Sequence, residues 1–225
     1  MMLRMPLAAL GLTAIATFAL AHGDVAPQPV NTDALPDVGE EWLTENPYRE
    51  DAAVFDKAIK IGDSGYNQNC ARCHGLGAVS GGLAPDLRYL EAEEYGDEWF
   101  IERFRHGMTQ NGTTKMPAFG ELLGQKAAWA IRSYVETRPD DGALDDFTPR
   151  LLEIRDMLQG KADGGDAETD AILVELTDIA GQVETGSGSP VADSAASRAA
   201  NFISGDDPDY RSAAEALTIG LSAAH

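Results

Sequence analysis

The spacing of apolar residues along the chain predicts an all-α protein. Between residues 51 and 74, small and apolar side chains recur every three or four residues, the period of an amphipathic helix. Two further helices are predicted at 97–105 and 121–137, the second closed by Pro139, which cannot continue a helix. Residues 22–50, in contrast, are polar and proline-bearing with little periodicity. They indicate an extended segment that wraps around the helices.

Helical spacing continues in the last third of the chain, where the composition changes. Thr148-Pro149 is typical of a helix start, and apolar residues follow at helical spacing as far as Leu158. A second amphipathic face runs from Ile172 to Val183. Residues 185–190 are rich in Gly and Ser and predict a flexible linker. The Ala-rich chain after Val191 predicts two weak helices.

The first 21 residues have the composition of a secretory signal peptide. Arg4 supplies the positive start, an uncharged apolar run extends from Leu7 to Leu20, and Ala19-Leu20-Ala21 is a small-x-small cleavage site. The run is short for a membrane span, although an uncleaved anchor would have the same composition. We therefore predict an exported, periplasmic protein that begins at His22 after cleavage and is not an integral membrane protein.

These patterns divide the chain into four parts. A signal peptide (1–21) precedes the extended segment (22–50), a helical domain (51–150) and an acidic, Ala/Gly-rich C-terminal extension (151–225) that is loosely folded or partly helical. The extension carries 14 acidic and 4 basic residues. This charge suits either a solubilising tail or a docking appendage for a partner protein.

The whole chain is strongly acidic. Its 37 Asp and Glu residues exceed its 17 Lys and Arg residues, which gives a formal net charge of −20. Nucleic-acid binding is excluded on this ground, because contacts with phosphates need a basic surface. The charge favours a partner with a basic docking surface, whose association would depend on salt.

The two cysteines of the chain stand together in the sequence Cys70-Ala71-Arg72-Cys73-His74. Cys-x-x-Cys-His is the attachment signal for a c-type haem. Because positions i and i+3 share one face of a helix, both thiols can reach the two vinyl groups on one porphyrin edge, and His74 can bind the iron. A redox dithiol followed by a chance histidine is the alternative. A disulfide across two residues would constrain little of the unfolded chain.

A second iron ligand is predicted in Lys115-Met116-Pro117-Ala118-Phe119. A thioether is a soft, neutral ligand that favours ferrous iron and, paired with His, raises the reduction potential. Met116 follows His74 by 42 residues, enough chain to wrap around a haem edge. Methionine is also a common core residue, and Met108 and His106 are rival ligands. Met108 lacks a following proline, and His106 lies in a polar helix end.

The stretch from about Gly62 to Arg138 resembles a class I cytochrome c. Beside the haem motif, Leu83-Ala84-Pro85-Asp86-Leu87 is similar to the family's proline loop. The flanking sequence resembles a narrower group, the periplasmic c-550-type and cytochrome c(L)-type carriers that take electrons from quinoprotein alcohol dehydrogenases. This narrower resemblance rests on five parts of the sequence: His22-Gly23-Asp24-Val25, Trp42, Asn46-Pro47-Tyr48-Arg49, the run from Cys70 to Gly77 and the run from Ser80 to Arg88.

The resemblance implies a haem-wrapping helical fold with one covalent haem c. Cys70 and Cys73 would hold the haem, and His74 and Met116 would bind the iron. The Pro85 carbonyl would accept a hydrogen bond from the His74 ring and fix its tautomer. The resemblance also implies that aromatic side chains of the 121–137 helix pack across the helix that leads into the motif.

The function implied is electron transfer without bond chemistry. The protein would accept one electron from a quinoprotein (PQQ) alcohol dehydrogenase and pass it to a terminal oxidase or another cytochrome. One alternative is a haem enzyme with an open iron site that acts on peroxide or a small gas. Another is a cytochrome subunit of a larger dehydrogenase complex, with the C-terminal extension as its assembly element.

Overall fold

A computed structural model describes residues 27–222 of the 225-residue chain. The predicted signal peptide, its cleavage site and the word His22–Val25 lie outside these residues. The described chain is mostly helical, which confirms the predicted fold class. It contains a short hairpin, β1 (Met108–Gln110) with β2 (Thr113–Met116). Its α-helices are α1 (Ala52–Asn69), α2 (Ala71–His74), α3 (Glu94–His106), α4 (Gly120–Glu136), α5 (Thr148–Ala162), α6 (Thr169–Gln182), α7 (Ala195–Ile203) and α8 (Tyr210–Ser222).

Two separate hydrophobic cores organise the described residues. The first lies among α1, α3, α4 and the chain before them, and we call residues 27–138 the N-terminal unit. The second lies among α5 to α8, and we call residues 144–222 the C-terminal unit. The second core includes Leu144, a few residues before the predicted boundary at 150. None of the helices in residues 27–222 is long and apolar enough to cross a bilayer.

The N-terminal unit is built on the crossing of α1 and α4. Gly62 lies at this crossing, where a Cβ atom would stand 1.9 Å from the Ala130 carbonyl oxygen. Only a residue without a side chain allows the two backbones to approach this closely. Tyr66, one turn further along α1, packs on Tyr134 of α4 with 5.2 Å between ring centroids. The crossing therefore fixes the end of α1, which leads directly into the cysteine motif.

The chain before α1 lies along this core, as an extended wrap would. Leu35 and Tyr48 are buried in it, at 4% and 1% exposure. The Gln125 side chain of α4 accepts a hydrogen bond from the Leu43 amide at 2.6 Å and donates one to the Glu41 carbonyl at 2.9 Å. These bonds satisfy backbone groups that an extended segment would otherwise leave without partners.

A buried ion cluster joins the same segment to α3 and α4. The Arg49 guanidinium donates to both carboxylate oxygens of Asp97, at 2.6 and 2.8 Å, and to both of Glu136, at 2.7 and 2.6 Å. Arg132 Nε donates to Asp97 at 2.7 Å. The Asp97, Arg132 and Glu136 side chains are all at 0% exposure. Two cations thus balance two anions, which buried charges require if burial is not to be strongly destabilising.

The C-terminal unit is a packed helical assembly with side chains at zero or near-zero exposure in each of its helices. Helix α7 begins with a capping box in which Ser194 and Ser197 exchange side-chain to backbone bonds. Small alanine side chains let α7 and α8 pack closely, so an Ala-rich sequence here forms two well-packed helices. The fully buried residues of this core are Leu151, Ile154, Leu158, Leu176, Ala196, Ala199, Ala213 and Leu217.

Residues 185–190 differ from the flexible linker that their composition predicted. Ser187 and Ser189 are buried, at 7% and 8% exposure. The Ser187 hydroxyl donates to the Glu136 carbonyl at 2.6 Å, and the Thr185 hydroxyl donates to the Ser189 carbonyl at 3.0 Å. Serine and threonine hydroxyls here replace solvent as partners of backbone carbonyls, so the segment is ordered against the end of α4.

Candidate haem-binding site

The cysteine motif begins where α1 ends. Cys70 closes α1 through its backbone N–H, which donates to the Tyr66 carbonyl at 2.7 Å, and the single turn α2 carries the rest of the motif to His74. Gly75 then adopts φ +87°, a conformation in which a Cβ atom would stand 1.8 Å from the Val79 carbonyl oxygen. The chain therefore turns sharply after His74, and the Tyr66 hydroxyl secures this turn by donating to the Gly75 carbonyl at 2.9 Å.

The His74 ring meets the proline loop. Its Nδ1 lies 3.0 Å from the Pro85 carbonyl oxygen, the contact that the family resemblance implies. Because a carbonyl oxygen can only accept, Nδ1 carries the proton and Nε2 has its lone pair free for a metal. The ring is buried at 9% exposure, so it is held in one orientation by its surroundings.

The donor set around the motif fits a covalently bound haem. Neither cysteine is in a disulfide; Cys70 is partly buried and Cys73 is exposed. Burial and then the neighbouring Cys73 raise the pKa of the Cys70 thiol to about 12. When bound, the haem iron would supply a reversible one-electron centre.

Large apolar side chains stand exposed beside the motif. Leu76 and Leu83, which flank the turn between the motif and the proline loop, are 77% and 78% exposed. A soluble domain exposes such groups together mainly where they meet another apolar surface. Their exposure on either side of the turn that follows the motif suits contact with a porphyrin.

Met116 ends strand β2 and packs, partly buried, against the N-terminal core. Two contacts hold the chain around Met116 against the end of α3. The Phe119 amide donates to the Phe104 carbonyl at 2.8 Å. Gly107, at φ +66°, lies so close to the loop that a Cβ atom there would stand 2.4 Å from the Met116 carbonyl oxygen. Gly107 is a residue that sequence reasoning missed, although a glycine directly after a helix is a known sign of a helix end.

The structure places one rival ligand opposite Met116 and exposes the side chain of the other. Met108 is the cross-strand partner of Met116 in the hairpin, and it is 47% exposed. His106 lies at the end of α3 with its side chain 58% exposed and its Nε2 3.9 Å from a Glu102 carboxylate oxygen. The exposure of His106 agrees with the expectation that water surrounds it.

The hairpin itself was not predicted. Between Gly107 and Met116 the chain forms two paired strands around a tight turn. Asn111 and Gly112 have φ +51° and φ +74°, the values of a type I′ turn. The Asn-Gly pair was the available signal, since it is the strongest short-range sign of a two-residue hairpin.

Comparisons with known proteins show which family the chain resembles. Residues 57–135 match the family described as Cytochrome C oxidase, cbb3-type, subunit III. The chain is 54% identical over 123 residues to a protein called Cytochrome c550 from Pseudomonas aeruginosa, a match that covers 55% of this chain and 85% of the relative. The family match thus includes the cysteine motif, the proline loop and Met116, and it ends before helix α5.

Two larger proteins are similar over part of their length. Quinohemoprotein alcohol dehydrogenase ADH-IIG from Pseudomonas putida is 33% identical over 84 residues, which are 37% of this chain and 11% of the enzyme. Quinohemoprotein alcohol dehydrogenase ADH IIB from the same organism is 34% identical over 113 residues, which are 50% of this chain and 14% of the enzyme. The chain thus spans only a small part of these two enzymes. No solved structure matches the chain.

Proposed function

The chain belongs to the class I cytochrome c family, and on this premise we propose that it is a periplasmic one-electron carrier for alcohol oxidation. Its cofactor is covalently bound haem c, and carriage of electrons is what the family supports. The donor in this proposal is a quinoprotein (PQQ) alcohol dehydrogenase. The acceptor is a terminal oxidase or another cytochrome.

We assign the site residues as follows. Cys70 and Cys73 would form the thioether links to the haem, and His74, through Nε2, and Met116 would bind its iron. Pro85 holds the His74 ring through its carbonyl. The observation that carries this assignment is the 3.0 Å contact between His74 Nδ1 and the Pro85 oxygen, because it leaves Nε2 as the nitrogen available to a metal.

Two ligands from the protein favour electron transfer over catalysis. If His74 and Met116 both bind the iron, a peroxide or gas molecule would have no position to bind, and the protein would need no group that moves protons or breaks bonds. The close packing of Gly107 against the Met116 loop favours a ligand that stays in place. Little rearrangement on reduction is what a carrier requires.

The two relatives called quinohemoprotein alcohol dehydrogenases support the proposed donor. In those proteins a stretch similar to this chain is part of the dehydrogenase itself. Oxidation of one alcohol to an aldehyde releases two electrons and two protons. A carrier with one haem accepts one electron at a time, so two carrier molecules must be reduced for each alcohol consumed.

The experiment is to mix the purified ferric protein with a periplasmic quinoprotein dehydrogenase and its alcohol, and to follow haem reduction by absorbance. We expect two equivalents of reduced carrier for each alcohol, and none when the alcohol is left out. Absence of reduction would refute the proposed donor. A high-spin ferric spectrum without a sulfur-to-iron charge-transfer band would instead favour the haem-enzyme alternative.

The proposed periplasmic location and the alternative of a subunit in a larger complex are each tested by a separate measurement. Amino-terminal sequencing of the exported protein tests whether it begins at His22. Gel filtration of the full-length protein tests the reading of the chain as a subunit of a larger complex, to which the similarity with an oxidase subunit family lends support. Recovery from the periplasm as part of a stable assembly with a dehydrogenase would favour that reading over a free carrier.

A further inference from the structure

The chain between the two units forms an ion pair with the proline loop that the proposed function does not use. Arg88 lies two residues beyond Asp86 in this loop, and its side chain is 4% exposed. Its Nε and Nη2 donate to the two carboxylate oxygens of Asp86 at 3.0 and 2.8 Å. Its Nη1 donates to Asp141, in the connection that leads to the C-terminal unit, at 2.7 Å. One planar guanidinium thus joins the loop to that connection.

Short contacts extend from this ion pair to the His74 ring. Asp86 also accepts a hydrogen bond from the Ser80 amide at 3.3 Å. The Ser80 hydroxyl donates to the Ala84 carbonyl at 2.5 Å. Pro85 lies between Ala84 and Asp86, so its backbone is held from both sides while its carbonyl meets His74 Nδ1.

The C-terminal unit holds the chain after Arg88 as well. The Ala92 amide donates to the Ser187 carbonyl at 3.0 Å. A Cβ atom on Gly186 would stand 2.8 Å from the Tyr89 ring, so these two residues are in close contact. We call the Arg88–Asp141 ion pair together with the Ala92–Ser187 hydrogen bond the interdomain brace. It connects the proline loop to a part of the chain that lies outside the family match.

We propose that Arg88 is a positioning residue that, through Asp86 and Asp141, fixes the Pro85 carbonyl on the His74 ring. The inference rests on the proposed function, because it requires His74 as an iron ligand. A carbonyl held firmly on Nδ1–H makes the imidazole a stronger electron donor, which favours ferric iron. Loosening the interdomain brace therefore raises the reduction potential, and the C-terminal unit tunes the haem from a distance.

The test compares Asp141→Asn with Asp140→Asn in the full-length protein with haem attached. Each variant removes one negative charge at nearly the same place. Both carboxylates accept a hydrogen bond from the Tyr89 hydroxyl at 3.2 Å, but only Asp141 also accepts one from Arg88. Two quantities are measured: the midpoint potential, and the rate at which the His74 Nδ1 proton exchanges with solvent, followed by NMR in the reduced state. The second quantity reports the hydrogen bond itself and is insensitive to remote charge.

We expect both variants to raise the midpoint potential through the lost charge, and Asp141→Asn to raise it further. Only Asp141→Asn should speed exchange of the His74 proton, by roughly three- to tenfold, the effect of losing one partly exposed charge-assisted contact. Arg88→Lys keeps the charge but loses the planar fork, so it should speed exchange similarly. Equal potentials for the two Asp variants, with unchanged exchange, would overturn the proposal.

This outcome is distinguishable from failure of the proposed function. If the unaltered protein has a low-spin, six-coordinate spectrum and the two Asp variants behave alike, only the positioning role of Arg88 is wrong. If the unaltered protein lacks that spectrum, the ligand assignment itself is wrong, whatever the variants do.

Discussion

At the scale of single residues, the hairpin sharpens the choice of the second iron ligand. It places Met108 and Met116 opposite each other across two strands, so both sulfurs belong to one small structural element. Met116 packs against the core and is followed by Pro117, whereas Met108 is half exposed at the end of α3. A ligand needs a fixed position, and burial with a restrained backbone favours Met116.

Met116→Ala should leave the haem attached, lower the midpoint potential and open one face of the iron to water. Haem attachment depends on Cys70 and Cys73, while the thioether of the Met116 side chain is what stabilises ferrous iron. The measurements are the midpoint potential and the ferric absorption spectrum, in which the sulfur-to-iron charge-transfer band should disappear. Met108→Ala is the matched control and should keep both. If the band is lost in Met108→Ala but kept in Met116→Ala, Met108 is the iron ligand and Met116 is not.

At the scale of elements, α1 and α4 depend on a glycine for their crossing. Gly62→Ala should destabilise the protein by about 1–3 kcal/mol, the usual cost of forcing extra atoms into a packed contact. Its Cβ atom would meet backbone, the Ala130 carbonyl, which cannot rotate away. Denaturant unfolding followed by circular dichroism measures the change.

Gly181→Ala is the control for this prediction. Gly181 lies in α6 with nothing within 4 Å of its Cβ position, so alanine should raise the free energy of unfolding by about 0.5–1 kcal/mol through helix propensity. The same Gly-to-Ala change should therefore lower the free energy of unfolding at position 62 and raise it at position 181. Equal effects from the two would mean that the crossing can relax and that Gly62 is not needed there.

Local pattern predicted the elements whose signals are local. The apolar spacing of α1, α3 and α4 and the helix start at Thr148 all agree with the structure within a few residues. The chemistry of the motif from Cys70 to His74 could also be predicted from the sequence, because the Cys-x-x-Cys-His spacing is itself what haem attachment requires. The missed hairpin shows the same rule, since its Asn111-Gly112 signal was local and was overlooked rather than absent.

Contacts between distant parts of the chain could not be predicted in this way. Nothing in the word Asn46-Pro47-Tyr48-Arg49 indicates that Arg49 would bind Asp97 and Glu136, because the partners are chosen by the packing of α3 and α4. The segment 185–190 was expected to be flexible for the same reason. Its serines become buried only once the C-terminal unit lies against α4.

At the scale of the whole molecule, ion pairs and hydrogen bonds together join the two units. Arg138 at the end of α4 binds the Asp193 side chain, and Arg198 of α7 binds both Asp193 and Asp63 of α1. Burial alone would raise the pKa of Asp193, but hydrogen bonds and charge from Arg198 and Arg138 outweigh it and hold that pKa below its usual range. The contact between the units therefore depends on an ionised Asp193.

Acid should weaken this contact. A carboxyl with a lowered pKa in the folded state adds stability above its unfolded pKa, about 3.9, and that stability is lost as the pH falls through the folded value. Asp193→Asn should thus cost roughly 1–3 kcal/mol near pH 7 and progressively less as the pH falls below about 3.9. Thermal unfolding over a series of pH values from 7 downwards measures the difference, with the exposed Asp207→Asn as control. A cost that does not change with pH would show that the charge of Asp193 is not what joins the units.

The net charge of −20 acts at the same scale, and it predicts how fast a basic donor reaches the protein. Opposite charges steer two proteins together at low salt, and screening shortens the reach of this field from about 30 Å at 0.01 M salt to about 8 Å at 0.15 M. The bimolecular rate of reduction by a basic dehydrogenase should therefore fall about tenfold over this range. An uncharged small-molecule reductant is the control and should be unaffected. If the dehydrogenase rate is equally insensitive to salt, the acidic surface does not steer this donor, and its role is confined to solubility.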